Sequence, residues 1–569
     1  MQRVLSCAAL ALGLSLALEA QPLVDEGGIL NAASYLSPRL PGGAIAQGSI
    51  FVIFGDRMGP ATLAAAGFPL PNTLAGTSVR VTSGGQSLDC PLVYTVASQV
   101  AAILPSNTPV GSATLTVSFG GQTSAARSFR VVASAFGTFS LNLGGTGPGV
   151  ITNFESATSH PLNTALQSAR PGQTLILYGT GLGALPAGTP DNGAAPAVQI
   201  NAANVELYVG SRRANVAYAG RAPTFAGLDQ INFVVPGGVE GCSVPVAVKI
   251  GDIISNYVSI AVAAAGGVCS DPLSLPSSLL DRLNSGGSVR LGNMSLSRVE
   301  LENSVPVAGI QALKIDSGNA DFSELTPAAL NSGAQLGLAG SSSMGTCYVF
   351  VGNPSGLFPA DPIRPRGLDA GTAINLNGPK GARTLRRAPG VTGSYNETLT
   401  TGDLLGPILG GGDPDGYLVA GNYTFNNGTG GTDVRGFNTS YTLPPNLNWT
   451  NRAATTTVNR ANGLTVNWTG GDPNGYVQIY GFSPVDNNDN SVRGYFVCTE
   501  RTSVGTFTVP PAVLLAIPPS PPAPTGSSLP PRGSLGVGSI SPTREFSAPG
   551  IDYGTLSSTS MVIKPVPYQ

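Results

Sequence analysis

His160 is the only histidine in the 569-residue chain, so a Ser-His-Asp or Cys-His relay would have to run through it. It stands in Ser159-His160-Pro161, a polar loop sequence, and reads as a solvated residue rather than a general base. Gly179-Thr180-Gly181-Leu182-Gly183 hints at a dinucleotide fingerprint, but Ala184 replaces the last glycine and no βαβ context surrounds it, so it reads as a strand-ending turn. Paired carboxylates would allow glycoside hydrolysis without histidine. The candidates Asp413 and Asp472 lie in Asp-Pro-x-Gly sequences, where the side chain caps a turn, Pro presets φ and Gly tolerates the exit. Asp486, Asn488 and Asn490 place oxygen ligands at alternate positions, as calcium loops do. Ser491 stands where an EF-hand turn needs glycine and Val497 where it needs the bidentate Glu, so the alternatives are a looser calcium site between strands or a solvated hairpin loop. Trp449 and Trp468 each sit in Asn-Trp-Thr; Tyr417 and Tyr476 end the two Gly-Gly-Asp-Pro-x-Gly turns. These four rings are the ligand-binding candidates: on strands they are core residues, and if exposed they would stack on sugar rings.

The elements that must position these residues are strands. Charged residues are 11% of the chain and the formal net charge is -2, so a phosphate backbone finds no electrostatic footprint and nucleic acid is excluded as a partner. Gly (76) and Pro (47) are abundant beside many β-branched residues, the composition of short strands joined by tight turns. Residues 1–20 read as a signal peptide: Arg3, the apolar stretch Val4 to Leu18, and Ala20 before Gln21. Cys7 follows Val4-Leu5-Ser6 as in a lipoprotein box, but too near Met1 for an apolar stretch to precede it. No later segment is long and apolar enough for a membrane helix. Export permits disulfides among Cys90, Cys242, Cys269, Cys347 and Cys498. Several pairings are open; proximity favours Cys242–Cys269, which leaves Cys347–Cys498 and a buried, free Cys90. No Cys-x-x-Cys pair suggests zinc.

The first half is duplicated. Gly48-Ser49-Ile50-Phe51-Val52-Ile53-Phe54-Gly55 matches Gly172-Gln173-Thr174-Leu175-Ile176-Leu177-Tyr178-Gly179, and Gln99-Val100 before Pro105 matches Gln230-Ile231 before Pro236. Alternating strands follow in each copy, Ala113 to Phe119 and Val244 to Ile250, with one face dry and one wet. Two β-sandwiches are expected, at 28–134 and 135–263. Asn31-Ala32-Ala33-Ser34-Tyr35, the glycine-bounded apolar strand, and the run Val209-Gly210, Tyr218-Ala219-Gly220, Ala222-Pro223, Gly227-Leu228, Gln230-Ile231-Asn232 resemble a family of secreted bacterial proteins of unknown function. That family carries tandem IPT/TIG-like immunoglobulin-fold repeats and a β-rich C-terminal region. The resemblance implies fold rather than activity, because its motifs are turn glycines and core strands. The first copy departs from it in having Val93-Tyr94-Thr95-Val96 in place of the Tyr-Ala-Gly run.

Residues 264–275 read as a linker and 276–509 as a β-rich domain with an internal duplication. In it Gly411 to Tyr417, Val434 to Phe437 and Thr442 to Pro445 recur at Gly470 to Tyr476, Val492 to Tyr495 and Thr508 to Pro511. Leu464 to Trp468 and Tyr476 to Tyr480 are similar to the B and C strands of a fibronectin type III domain. Short helices are expected around Ser277–Leu283 and Ala328–Leu338. Residues 510–533 read as an extended Pro-rich connector, and 534–569 as strands returning to complete the third domain.

The expectation is therefore an all-β chain of tandem immunoglobulin-like β-sandwiches plus a C-terminal β-rich domain, exported to the cell surface, periplasm or medium. Its leading function is non-catalytic binding, adhesion or spacing, with polysaccharide or a surface protein as ligand and no cofactor beyond the candidate calcium. The alternatives are a carbohydrate-active enzyme or its accessory module using third-domain carboxylates, and a structural envelope or matrix protein.

Overall fold

The computed structural model describes residues 21–194, 197–200, 204–270, 275–302, 312–331, 342–352, 365–400, 416–485, 493–521 and 533–569. The signal-peptide stretch 1–20, Asp413, and the calcium candidates Asp486, Asn488 and Asn490 lie outside these residues. The described residues are all-β, and no helix among them is long and apolar enough to cross a membrane.

The first sandwich pairs two sheets. One runs Leu23–Asn31, Ile50–Asp56, Gln99–Ile103, Leu92–Val96 and Ala64–Ala65; the other runs Ile45–Ala46, Arg127–Val132, Gly111–Phe119, Thr77–Ser83 and Thr73–Leu74. Alternation explains the packing. Ala113, Leu115 and Val117 point inward with Val79 and Val81 against Phe51 and Ile53, while the threonines between them stay half-exposed. Burying each of the larger side chains contributes about 1.5–3 kcal/mol.

The second sandwich repeats this plan. Thr174–Thr180 lies between Gly137–Thr138 and Asp229–Val234, as Ile50–Asp56 lies beside Gln99–Ile103. Here the layers are joined, because Arg212–Arg221 pairs with Val205–Val209 at one end and with Asp229–Val234 at the other. A register shift between Val216 and Tyr218 marks the passage, a bulge letting one strand serve both layers. Cys242 and Cys269 are bonded, with Cα atoms 5.5 Å apart. That bond and the bridge Ser168↔Gly267 hold residues 264–270 against the sandwich, so this stretch is packed structure and not a free linker.

In the third region one sheet runs through two cores. Thr346–Gly352, Arg493–Arg501, Tyr476–Pro484 and Ser534–Ile540 face a three-stranded sheet of Leu447–Trp449, Leu464–Gly470 and Thr506–Val509 across the core of Trp449, Val466, Trp468, Ile479 and Phe496. Tyr553–Pro565 joins this half to Val289–Glu302 and Ala312–Leu325, which lead to a second core of Phe322, Tyr395, Tyr423 and Phe425. Residues 534–569 thus return into the sheet. Cys347 and Cys498 are bonded and stand opposite each other on adjacent strands. A helix occupies Ser277–Asn284, while Pro327–Asn331 is a single turn whose expected continuation lies outside the described residues.

Two expectations need correction. Residues 511–516 form the helix Pro511–Ala516 rather than an extended connector: proline suits a first helical turn, and Val513 and Leu514 bury into the core. The sequence echo does not produce matching elements either. Val434–Phe437 lies outside any strand, with a single bridge at Arg435, whereas the described part of its counterpart, from Arg493, lies in the strand Arg493–Arg501. The shared feature is Pro ending a strand, after Asn438–Thr442 and after Thr506–Val509, because Pro cannot extend the ladder.

Candidate functional site

The strand Ile50–Asp56 is apolar from Ile50 to Phe54, so both its faces carry hydrophobic side chains. Phe51 and Ile53 enter the first sandwich core; Ile50, Val52 and Phe54 point to the other side of the sheet. Register extends that outer face across neighbouring strands, with Leu30 opposite Val52, Val52 opposite Ala101, and Ala101 opposite Tyr94. The small floor of Ala32 and Ala101 is flanked by the half-buried rings of Tyr35, Phe54, Tyr94 and Phe139. Antiparallel sheets usually show water a polar face, and this one shows an aromatic face.

Tyr35 reaches the face through an unusual backbone. Its φ is +52°, a left-handed conformation that costs a non-glycine residue of order 1–3 kcal/mol. Asn31 holds it there: its Oδ1 accepts the backbone N–H groups of Ala33 and Ser34, and its carbonyl accepts that of Tyr35. The Tyr35 ring then sits 6.4 Å from Phe54. Burial raises the Tyr35 hydroxyl pKa, and burial followed by the nearby Tyr35 pushes that of Tyr94 up to about 12, so both remain neutral donors at physiological pH.

The lower half of the same face is capped by the second sandwich. Ala226 packs with Leu70 and Ile103, and Ile50 and Val93 belong to both halves of the surface. Gly227, at φ +68°, makes the close approach possible, since a Cβ there would lie 2.6 Å from Ile50. At this seam Phe68 of the first module and Phe225 of the second meet edge to face, 6.5 Å between centroids. They are 52% and 51% exposed, with Leu63 at 64% in the same segment as Phe68. The outcome is an exposed aromatic pair astride the boundary between the modules, beside Leu70 and Ala226 of the capped half of the face.

Buried polar bonds fix that boundary. Asn31 Nδ2 donates to the Ala135 and Thr180 carbonyls, and the Ile50 N–H donates to Thr180 Oγ1. Ser106 donates to both oxygens of Asp191 through its N–H and hydroxyl. Arg221, fully buried, donates from Nη1 to the Gly48 carbonyl and lies 3.4 Å from Asp229. Asp229 also accepts the Gly181 and Leu182 N–H groups. The Gly-Leu-Gly turn singled out in the sequence thus donates two backbone N–H groups to a carboxylate of the chain itself.

The ligand-binding candidates singled out in the sequence lie elsewhere. Trp449, Trp468, Tyr417 and Tyr476 are all buried, at 6%, 3%, 2% and 8% exposure. Trp449 and Trp468 are register partners facing the core, where Trp468 Nε1 donates to the Thr502 carbonyl and Trp449 Nε1 to Asn451 Oδ1. Tyr417 donates its hydroxyl to the Gly381 carbonyl. A ladder of rings, Tyr348, Phe350, Tyr495 and Tyr480, crosses the third region, but each member is buried or half-buried. His160 is exposed and stacks on Phe154 at 5.2 Å. Asp472 Oδ1 accepts the Asn474 N–H, a turn cap. Among the described residues no group of three or more His, Cys, Asp or Glu is placed to hold a metal.

No protein-family model and no curated protein matches the chain. Several solved structures align with it at low similarity. The Bacteroides ovatus mixed-linkage glucan utilization locus SGBP-B, in complex with a mixed-linkage heptasaccharide, aligns at 11% identity over 54% of this chain and 70% of its own, with a TM-score of 0.21. SGBP-B from a complex xyloglucan utilization locus in Bacteroides uniformis aligns at 9% identity over 86% and 100%, TM-score 0.17. Domains 5-6 of the S-layer protein SbsC align at 14% identity over 42% and 98%, TM-score 0.17. Scores this low say nothing about ligand or site. The chain is an all-β protein of tandem immunoglobulin-like sandwiches with an exposed aromatic pair astride their junction.

Proposed function

We propose that this is an exported, non-catalytic binding protein that holds a polysaccharide chain on the aromatic rings of Tyr35, Phe54, Tyr94, Phe68 and Phe225. The sequence motifs of its first half support reading the two sandwiches as IPT/TIG-like repeats, and two disulfides suit an oxidising compartment outside the cytosol. The observations carrying the proposal are the exposed Phe68–Phe225 pair at the seam of the modules and the sheet face paved with Tyr35, Phe54 and Tyr94. Sugar rings present apolar C–H faces that stack on aromatic rings, and neutral phenol hydroxyls supply hydrogen bonds at the edge. The polar bonds between the modules keep the rings in place before binding, which lowers its ordering cost.

The test is titration of the full chain with a panel of soluble neutral glucans, xylans and mannans. At least one should bind saturably. The Phe68→Ala/Phe225→Ala double variant should then lose about tenfold in affinity, the effect of roughly 0.5–1.5 kcal/mol per ring contact, and Tyr94→Ala a similar amount. Unchanged affinity in both variants, or no binding by the parent protein, would sink the proposal.

A further inference from the structure

We infer that the cleft where the two sandwiches meet the third region is a binding site for a small carboxylate carried on an apolar body, with Arg460 as its anion-binding group. The cleft is partly open and offers about 80 Å3 of water-accessible space. Its walls come from all three parts of the chain: Leu36 from the first, Ile254 and Tyr257 from the second, and Val351, Leu515 and Ile517 from the third.

Arg460 is the basic residue in this lining. Its Nη1 donates to the Leu515 and Ile517 carbonyls at 3.4 and 2.9 Å, which orients the guanidinium at the end of the helix Pro511–Ala516. Its Nε is buried and has no hydrogen-bond partner. No ion pair joins Arg460 to a carboxylate among the described residues, although Asp252 lines the same cleft. Burial lowers its pKa with no neighbouring charge opposing the shift. Arg298, Arg221 and Arg366, by contrast, each stand beside a carboxylate, of Asp316, Asp229 and Glu324. A half-buried guanidinium on a cleft wall with no carboxylate of the described residues paired to it is a site for an outside anion. A carboxylate fits the planar fork of a guanidinium, and the aliphatic walls fit an alkyl chain or ring attached to it. The site is separate from the aromatic rings and stands or falls independently of the polysaccharide reading.

The experiment is calorimetric titration of the full chain with hexanoate, with hexanol and hexylamine as controls. Hexanoate should bind saturably at one site, at least tenfold more tightly than either control. Arg460→Gln should weaken it at least tenfold. Leu36→Trp, which fills the cleft from a different module, should abolish it while near-ultraviolet circular dichroism stays native. Absence of saturable hexanoate binding, equal binding of hexylamine, or indifference to both substitutions would each overturn the assignment.

Discussion

Asn31 and Arg221 show how single side chains set the geometry between modules. Asn31 shapes the turn that lifts Tyr35 onto the sheet face and reaches into the second sandwich with its other end. Arg221 comes from the opposite direction, carrying a charge to the Gly48 carbonyl with Asp229 beside it. Burial raises the Asp229 pKa above its ordinary 3.8, while Arg221 and two backbone N–H groups oppose the rise. Arg221→Met should therefore destabilise the protein by about 3–5 kcal/mol at pH 7, the cost of stranding a buried charge. Removing the cation raises the folded pKa further, and a raised carboxyl pKa favours the protonated fold. Stability from that proton is fully present below the unfolded pKa near 3.8 and is lost as pH rises through the folded value. The deficit should consequently be smaller at pH 4 than at pH 7 in denaturant titrations; equal deficits at both would count against an unpaired Asp229 as its cause.

At the scale of elements, Leu464–Gly470 places Leu464, Val466 and Trp468 on one face, and that face is core. Trp468→Ala should cost about 3–5 kcal/mol, as removal of a buried large ring does, while glycan affinity stays at the parent value. A loss of affinity without a loss of stability would return Trp468 to the list of ligand-contacting residues. This strand and those at Ala113 to Val117 could be read from the sequence because their alternation separates a dry side from a wet one. The aromatic face was harder to read for the opposite reason. From Ile50 to Phe54 every residue is apolar, so no alternation exposes which side is free. That unbroken run in a two-layer sandwich was itself the available signal, since it requires a second hydrophobic face with something to meet. Phe68 and Phe225 gave no signal, being loop residues far apart in sequence that only tertiary packing unites. The helix Pro511–Ala516 was hidden by its prolines, because a proline-rich composition describes an extended chain and a helix start equally well.

Across the whole molecule, the chain is tied together at long range. The Cys347–Cys498 bond spans 151 residues, and closing a loop of that size in the unfolded chain stabilises the fold by about 5 kcal/mol in the chain-entropy account. Replacing both cysteines with alanine should lower the unfolding free energy of the third region by roughly that amount. Spectroscopic unfolding of the variant against the parent checks it; an undiminished midpoint would show the bond to be redundant with sheet pairing.

The strand Tyr553–Pro565 adds a constraint in time. It lies between Ser534–Ile540 and Val289–Glu302, parallel to the latter, and is the only bridge between the two halves of the long sheet among the described residues. In chain order both halves come before their keystone, whether the chain is being made or exported. Each must wait with an unsatisfied edge, so the third region can lock into place only once Tyr553–Pro565 is available.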